Sequence, residues 1–426
     1  MSEITVIGAG LAGLVAAREL VLQGHTVRVL EQAAEVGGQI ARAEIAGRQV
    51  DVGALQLDPA DDAVSALLVR VDRAPSVLEA RPLRWWLSTP NGVHPLPAVH
   101  WWGVPAAPLA ADTVAIIGRR AAWRGMLDAL LPGPRGATAT TLDELVRIRM
   151  GDAVADRLVA PVIEAQTGRE AASILLTEVP GLRHRMLQQN SLARAVTSLR
   201  LDHPENSELA TLRGGPSTLV DALYAELERF GVPIELGTRV DEVTEDGAVV
   251  RGEVLEGAFV LAAPLDAAAA PERAIVTLVL DAATVPVGVR DAGVLAGRGR
   301  PDGVRRVVDL AALWPGVVAD DPSVTVLRVE GSSALTVEGA VRAVGEWWDD
   351  PRLEEAVLGS HLSTWAAGVV PTAHALREHP STVVAEVGEH VVGPGLARVI
   401  GTTVTAVAPL APDTPTTTGS GTAAEV

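Results

Sequence analysis

The fold of this 426-residue chain is decided by ITVIGAGLAG, residues 4–13. An apolar segment of strand length leads into the pattern G-x-G-x-x-G, and apolar residues at helical spacing follow as far as Gly24. A second apolar strand, residues 27–30, is closed by Glu31. Together these elements predict a strand–helix–strand unit with the glycines at its first turn.

Each part of the pattern has a chemical reason. Gly8 allows the tight turn, Gly10 lets the backbone approach a pyrophosphate, and Gly13 lets the helix pack close to the strand. Free N–H groups at the helix N-terminus then face the anion. Glu31 lies where an acidic side chain accepts hydrogen bonds from a ribose, and its charge argues against a 2′-phosphate and so against NADP.

A longer pattern resembles the FAD fingerprint of the amine oxidase, phytoene desaturase and protoporphyrinogen oxidase group. The resemblance implies FAD as the cofactor, and it carries Val240 over as a residue that contacts the adenine through its backbone. The positions that match the fingerprint are 8–13, Ala17, Leu20, Gly24, Val27, Glu31, Gly37, Gly38, Gly47, Asp51 and Gly53. The candidate cofactor-binding residues are Gly8, Gly10, Leu11, Ala12, Gly13, Glu31, Gln32, Gly37, Gly38, Val240 and Gly401.

Composition excludes several classes of function. Acidic residues outnumber basic ones by 53 to 35, giving a formal net charge of −18, which argues against a nucleic-acid partner. The chain has no Cys, so it has no disulfide, no thiolate-bound metal and no cysteinyl-flavin link. The chain also has no Lys. Since the resemblance implies that amine oxidases use a Lys–water arrangement near the flavin, an ordinary amine oxidase is less favoured. Hydrolase and metal-site motifs are missing, so no catalytic residue and no metal ligand is assigned.

The most apolar long segment, residues 391–412, is interrupted by Pro394, Arg398, Pro409 and several glycines. We interpret it as a strand and a loop rather than a membrane span. Residues 1–3 lead directly into the first strand and leave no room for a signal peptide, so the sequence predicts a cytoplasmic protein without a transmembrane segment, although contact with a membrane surface stays open. Oligomeric state cannot be inferred.

Further along the chain the resemblance narrows to the bacterial protoporphyrinogen and coproporphyrinogen oxidases. It rests on a predicted hairpin at 83–97, on the segments 142–146 and 151–161, and on Gly168. Two departures stand out. Residues 164–167 replace the family's Gly and Tyr near the substrate pocket, and residues 402–410 replace a glycine-rich turn and helix that face the flavin.

The predicted fold class is α/β, with a discontinuous Rossmann-like FAD-binding domain and an inserted α+β substrate-side region. The predicted FAD-binding parts are 1–57, 205–270 and 381–412. They are separated by a helical substrate region at 58–204, in which a helix is expected at 113–131, and by a region at 271–380. The latter is predicted to contain strands at 274–280 and 324–329 and a helix at 337–348. Residues 413–426 are predicted to form a disordered tail. Trp85, Trp86, Trp101 and Trp102 are interpreted as packing in preference to a pocket for a flat ligand.

Three hypotheses for function follow. The first is an FAD-dependent porphyrinogen oxidase of haem biosynthesis, for which the resemblance implies hydride transfer to flavin N5 and reoxidation by oxygen. Its substrate's propionates would call for Arg, with Arg183, Arg185 and Arg194 as candidates. The second is a degenerate family member that binds a partner without catalysis. The third is a flavin oxidase of another small molecule.

Overall fold

The computed structural model describes residues 3–179, 181–203, 209–265, 273–298, 302–318, 321–365, 379–392 and 395–410. The predicted tail at 413–426 lies outside these residues. The strands are β1 (Glu3–Ile7), β2 (Thr26–Leu30), β3 (Arg42–Ile45), β4 (Arg48–Asp51), β5 (Val77–Glu79), β6 (Trp85–Thr89), β7 (Gly92–Pro95), β8 (His100–Trp101), β9 (Val104–Pro105), β10 (Ala210–Leu212), β11 (Ile234–Glu235), β12 (Val240–Thr244), β13 (Gly247–Val250), β14 (Glu253–Leu255), β15 (Ala258–Leu261), β16 (Arg273–Asp281), β17 (Gly293–Leu295), β18 (Val304–Asp309), β19 (Val324–Ser332), β20 (Val357–Trp365) and β21 (Val383–Glu386). The α-helices are α1 (Leu11–Leu22), α2 (Asp62–Arg70), α3 (Ala111–Ile117), α4 (Arg119–Met126), α5 (Leu142–Met150), α6 (Asp152–Val154), α7 (Ala160–Thr167), α8 (Leu182–Gln189), α9 (Leu192–Asp202), α10 (Ser217–Arg229), α11 (Leu310–Leu313), α12 (Val337–Trp348), α13 (Leu353–Ala356), α14 (Glu389–Val392) and α15 (Leu396–Val407).

The chain divides into two compact units. The first unit comprises residues 1–39, 219–267 and 368–426, and the second comprises 40–218 and 268–367. Residues 40–57, which the sequence analysis grouped with the FAD-binding part, lie in the second unit. The reason is that β3 and β4 form their own hairpin and β3 packs beside β20, which belongs to the second unit.

The first unit is built on a parallel sheet of five strands in the order β11-β2-β1-β15-β21. The strand–helix–strand prediction is confirmed, with α1 connecting β1 to β2 and Gly24 following the helix at a φ of 91°. An antiparallel sheet of β12, β13 and β14 completes the unit. Apolar side chains between the two sheets form its core, and they are Ile7, Leu30, Val240, Ala248, Phe259 and Leu261.

The C-terminal segment corrects the sequence analysis. Residues 391–412 were expected to form a strand and a loop, but α14 and α15 occupy most of the described part of this range. Helix α15 packs against α1, and its residues Val399, Ile400, Thr403 and Val407 are buried. Burial of one apolar face outweighs the weak helix propensity of its Val and Thr residues.

The second unit contains a sheet of seven strands in the order β20-β16-β19-β18-β17-β6-β7. The predicted strands at 274–280 and 324–329 and the predicted helix at 337–348 are confirmed, as is the hairpin of β6 and β7. The helix expected at 113–131 is divided at Gly118, whose φ of 84° interrupts helical geometry between α3 and α4.

Large side chains fill both faces of this sheet. Trp85 and Trp101 lie in the core on one face, and Trp347 and Trp348 of α12 lie in the core on the other, so packing is the role of these four residues. Within the described residues, no helix combines the length and the hydropathy that crossing a bilayer requires.

Candidate functional site

The glycine loop joins β1 to α1 at the carboxyl edge of the parallel sheet. It is held from both sides, since the Gly8 N–H donates to the carbonyl of Leu30 at 2.8 Å and the Gly37 N–H donates to the carbonyl of Ala9 at 2.9 Å. Gly10 and Gly37 form a parallel bridge. The loop after β2 therefore closes over the first turn and fixes the predicted residues Gly37 and Gly38 beside Gly10.

Gly13 is required by the fold itself. A Cβ at this position would lie 1.8 Å from the carbonyl oxygen of Gly8, which no L side chain can tolerate. Gly13 therefore brings α1 directly onto the turn that follows β1, as the sequence predicted.

Gly10 differs, because the fold does not require a glycine there. Its φ of −71° and ψ of 178° suit any residue, and a Cβ would meet only Gly38 Cα at 3.8 Å and Gly37 O at 4.0 Å. Both are ordinary contact distances. Glycine at this position leaves room for a ligand to approach the backbone at the start of α1.

The start of α1 offers donors to such an anion. The first helical hydrogen bond runs from the Leu14 N–H to the Gly10 carbonyl at 3.0 Å, so the amides of Leu11, Ala12 and Gly13 have no partner within the helix. The N-terminal residue of the helix makes no side-chain cap, and no acidic residue lies in the first turn. Nothing in the helix itself competes with an anion for these amides.

Glu31 lies at the end of β2 and faces the loop. Its Oε2 accepts from the Ala9 N–H at 2.6 Å and its Oε1 accepts from the Ala33 N–H at 2.8 Å. Its backbone is fixed to the segment after β11, because its N–H donates to Glu235 O and its carbonyl accepts from Thr238 N–H. The carboxylate is thus held beside the glycine loop, which is where a ribose acceptor is needed.

A second helix N-terminus was missed by the sequence analysis. Helix α15 begins after Gly395, which has a φ of 123° and makes no side-chain cap, and its first turn contains no acidic residue. Near the other end of α15, the Gln23 side chain donates to the Val407 carbonyl and a ring nitrogen of His25 lies 2.7 Å from the Leu410 carbonyl oxygen. Since α1 and α15 pack side by side with their C-termini joined, their N-termini open at the same edge of the sheet.

The sequence did contain a signal for this helix. Its apolar positions 396, 399, 400 and 407 follow helical spacing, and glycine at 395 suits a helix start. The expected replacement of the flavin-facing helix by 402–410 is therefore wrong, because these residues form the second half of α15 and the short turn after it.

The remaining predicted cofactor-binding positions are Gln32, Val240 and Gly401, and they lie on three different segments of the first unit. Gln32 is exposed next to Glu31, and Val240 starts β12 with its side chain buried in the core of the first unit. Gly401 belongs to the segment expected to form a strand and a loop, but it lies inside α15, where its carbonyl accepts from the Thr405 hydroxyl at 2.8 Å. The donors that α15 offers are the amides of its first turn, not the backbone of Gly401.

A carboxylate clamp links β21 to the helices that follow it. Glu386 accepts from His379 Nε2 at 2.9 Å, and its other oxygen lies 3.3 Å from His390 Nε2. The imidazoles of His390 and then His379 outweigh desolvation and lower the pKa of Glu386 to about 2. The contact with His390 ties α14 to the end of β21, whereas the bond with His379 holds the segment before β21.

The second unit holds the candidate substrate arginines from the sequence. Arg183 donates to the Ala139 carbonyl, and Arg185 donates to the Ser198 hydroxyl at 2.6 Å and pairs with Asp202. Arg194 is exposed on α9. Arg183 and Arg185 therefore bind groups of their own unit, and these contacts stabilise the unit without a ligand.

Residues 11–289 match the model of the family described as flavin containing amine oxidoreductase. The chain belongs to this family. Membership places it among the flavin-dependent oxidoreductases, with FAD as the cofactor, and the open glycine loop, the two uncapped helix N-termini and Glu31 are the residues of this chain that fit it.

Curated relatives match the chain over different lengths. A candidate flavin-containing monoamine oxidase of Mycobacterium tuberculosis is 40% identical over 86 residues, which are 20% of this chain and 19% of that protein. The coproporphyrinogen III oxidase of Propionibacterium freudenreichii subsp. freudenreichii is 25% identical over 331 residues, covering 66% of this chain and 62% of that protein. The chain thus spans less than two thirds of the length of either relative.

Solved structures share the fold over almost the whole chain. A candidate protoporphyrinogen oxidase from Exiguobacterium sp. 255-15 superposes with a TM-score of 0.79 at 17% identity and covers 96% of this chain and 98% of its own. Cyclohexylamine oxidase from Brevibacterium oxydans superposes with a TM-score of 0.62 at 15% identity, covering 96% of this chain and 99% of its own. At these identities the likeness establishes the fold alone.

Proposed function

We propose that this protein is an FAD-dependent oxidase that acts on a porphyrinogen of the coproporphyrinogen III or protoporphyrinogen IX type. The observation that carries the proposal is the similarity to coproporphyrinogen III oxidase, which extends over 66% of the chain. The stronger identity to a monoamine oxidase is confined to 86 residues. A match that continues through both units is the more informative about substrate.

The residues of the first unit have defined tasks in this proposal. The amides of Leu11, Ala12 and Gly13 hold the pyrophosphate, and Glu31 accepts hydrogen bonds from the ribose hydroxyls. The amides at the start of α15 stabilise negative charge, since they too lie at a positive helix end. Bound FAD supplies the acceptor for a hydride from a substrate carbon.

Two alternatives were open from the sequence. A flavin oxidase of another small molecule, such as an amine, is supported by the monoamine oxidase match. The degenerate, non-catalytic member was motivated by the altered C-terminal segment and by the replacement of the family's Gly and Tyr at residues 164–167. The presence of α15 removes the first motive, and the second still supports this alternative.

The proposal is tested with the full chain loaded with FAD. Coproporphyrinogen III is added in air, and porphyrin fluorescence and peroxide are followed, with putrescine and cyclohexylamine assayed in parallel. We expect porphyrin and peroxide to appear at rates well above the flavin-only control, and no peroxide from the amines. Peroxide from an amine without porphyrin formation would replace the proposal with the amine alternative.

A further inference from the structure

The seven-stranded sheet of the second unit contains an irregularity opposite Glu330. The pairs Val304–Gly331 and Arg306–Glu330 show that β18 takes two steps where β19 takes one, so Arg305 is an extra residue. In such a bulge the strand bends and a side chain is re-aimed. The bulge here places two arginines in succession beside Arg328 of the neighbouring strand.

Both carboxylate oxygens of Glu330 accept hydrogen bonds from two of these arginines. Arg306 donates to Oε2 through Nε at 2.8 Å, and Arg328 donates to Oε1 through Nε at 2.9 Å. Arg328 also donates to the Gly53 carbonyl. Both guanidinium groups lower the pKa of Glu330 to about 2 despite its burial. Neither oxygen of Glu330 accepts a hydrogen bond from Arg305.

Arg305 has less than a full set of partners among the described residues. Its Nη2 donates to the Gly331 carbonyl at 3.0 Å, while its Nε is buried and has no hydrogen-bond acceptor there. Its Nη1 lies over Gly168, where a Cβ would approach to 2.2 Å. Burial lowers the pKa of Arg305, with Arg273 and Arg306 adding to the effect and Glu330 opposing it.

Among the described residues, positive charges outnumber negative ones around Arg305. Arg273, Arg305, Arg306 and Arg328 interact electrostatically in this cluster, against Glu330 and Asp51. Asp51 is itself engaged, since it accepts from the N–H and the hydroxyl of Ser217. Buried charges are ordinarily paired, and a buried donor without an acceptor calls for a missing partner. An anion would supply an acceptor for this Nε and would offset the surplus positive charge.

We propose that Arg305, supported by Arg306 and Arg328, binds a carboxylate of the substrate and thereby selects anionic substrates over amines. The planar guanidinium matches a carboxylate in geometry and charge, whereas the surplus of positive charge repels an ammonium group. The inference rests on the proposed function, because it assigns the substrate class of that same enzyme. It adds Arg305 to the candidate substrate arginines from the sequence, of which Arg185 pairs with Asp202 in its own unit.

Binding without turnover tests this. The FAD-loaded protein is titrated with coproporphyrin III, which carries carboxylates but is already oxidised, and with its tetramethyl ester, which has the same macrocycle without charge. We expect the acid to bind wild type more tightly than the ester, and Arg305→Met to weaken acid binding roughly ten- to hundredfold while leaving the ester unchanged. Arg342→Met, at an exposed position on α12, removes the same charge elsewhere in the unit and should leave both ligands unaffected.

Two further results decide the inference. Arg305→Lys keeps the charge but loses the planar fork, so acid binding should fall between wild type and Arg305→Met. Should Arg305→Met not fold, the comparison of acid and ester on wild type still decides, and equal affinities would overturn the inference. If the wild type oxidises porphyrinogen but Arg305→Met binds the acid as tightly as the wild type, the inference about Arg305 is wrong and the proposed function is retained. If acid binding depends on Arg305 but the wild type does not oxidise porphyrinogen, the inference is retained and the proposed function is wrong.

Discussion

Helices α1 and α15 of the first unit are alike in structure and different in sequence. Both are twelve residues long, both start after a glycine without a side-chain cap, and neither has an acidic residue in its first turn. They pack side by side with their N-termini at the same edge of the sheet. Only α1 was predicted, because only α1 follows a motif with fixed glycine spacing.

The difference shows what a local motif can reveal. The requirement for Gly13 is steric and local, so it is visible in the sequence before any fold is known. The helical state of α15 depends on burial against α1, which is distant in sequence. Tertiary packing of this kind overrides propensity, and a Thr- and Val-rich segment then becomes a helix.

The largest expected effect is at the contact between β1 and α1. Gly13→Val should lower the free energy of unfolding by about 3 kcal/mol and abolish FAD binding, since a Cβ would lie 1.8 Å from Gly8 O. Thermal melting and flavin content measure both. Gly24→Ala is the control, because a Cβ at position 24 would meet no atom within 4 Å. Only its φ of 91° is unfavourable for alanine, which should lower the free energy of unfolding by about 1 kcal/mol. Equal losses in the two variants would contradict the steric role of Gly13.

Gly10→Asp should separate binding from folding. Asp is a favoured N-cap residue and its Cβ has room, so stability should stay within a few tenths of a kcal/mol of wild type. Its carboxylate would repel the pyrophosphate, and FAD affinity should fall roughly a hundredfold. Isothermal titration with FAD measures this, with Gly10→Ala as the uncharged comparison. A Gly10→Asp variant that binds FAD as wild type does would show that no phosphate lies in front of α1.

The matching change at α15 should have a smaller effect. Ala397→Asp places a charge in the first turn of α15, where it should stabilise the helix by about 0.3–1 kcal/mol. If these amides face the reduced flavin, the same charge should lower the two-electron potential by roughly 20 mV. Spectroelectrochemistry measures the shift, and Thr405→Asp at the opposite end of the helix is the control. An unchanged potential would mean that α1 alone serves the cofactor.

The smallest effect concerns the clamp that precedes α15. The pKa of Glu386 is lowered from 4.5 to about 2, so its stabilising contribution is present above pH 4.5 and lost as pH falls from 4.5 toward 2. Glu386→Gln removes this contribution, and its melting temperature should therefore vary less over that range than that of wild type. Identical pH profiles would show that the clamp does not support the first unit.

Prediction from sequence succeeded where short segments determine their own structure. The parallel sheet, the hairpin of β6 and β7 and the helix α12 follow from periodicity and turn residues. The Arg305 cluster could not be predicted, because it depends on a bulge that aligns β18 with β19 across residues 304–331. The arginines singled out from the sequence were chosen without knowing which carboxylates and carbonyls the fold would place beside them.

The visible absorption spectrum of the purified full chain, after incubation with FAD and removal of the excess, tests the central claim most directly. Bound flavin near one equivalent per chain is the predicted result, since we propose that the open space at Gly10, the amides of α1 and α15, and Glu31 form one site. A folded protein that remains colourless would contradict the account, because these features would then exist without the cofactor that explains them.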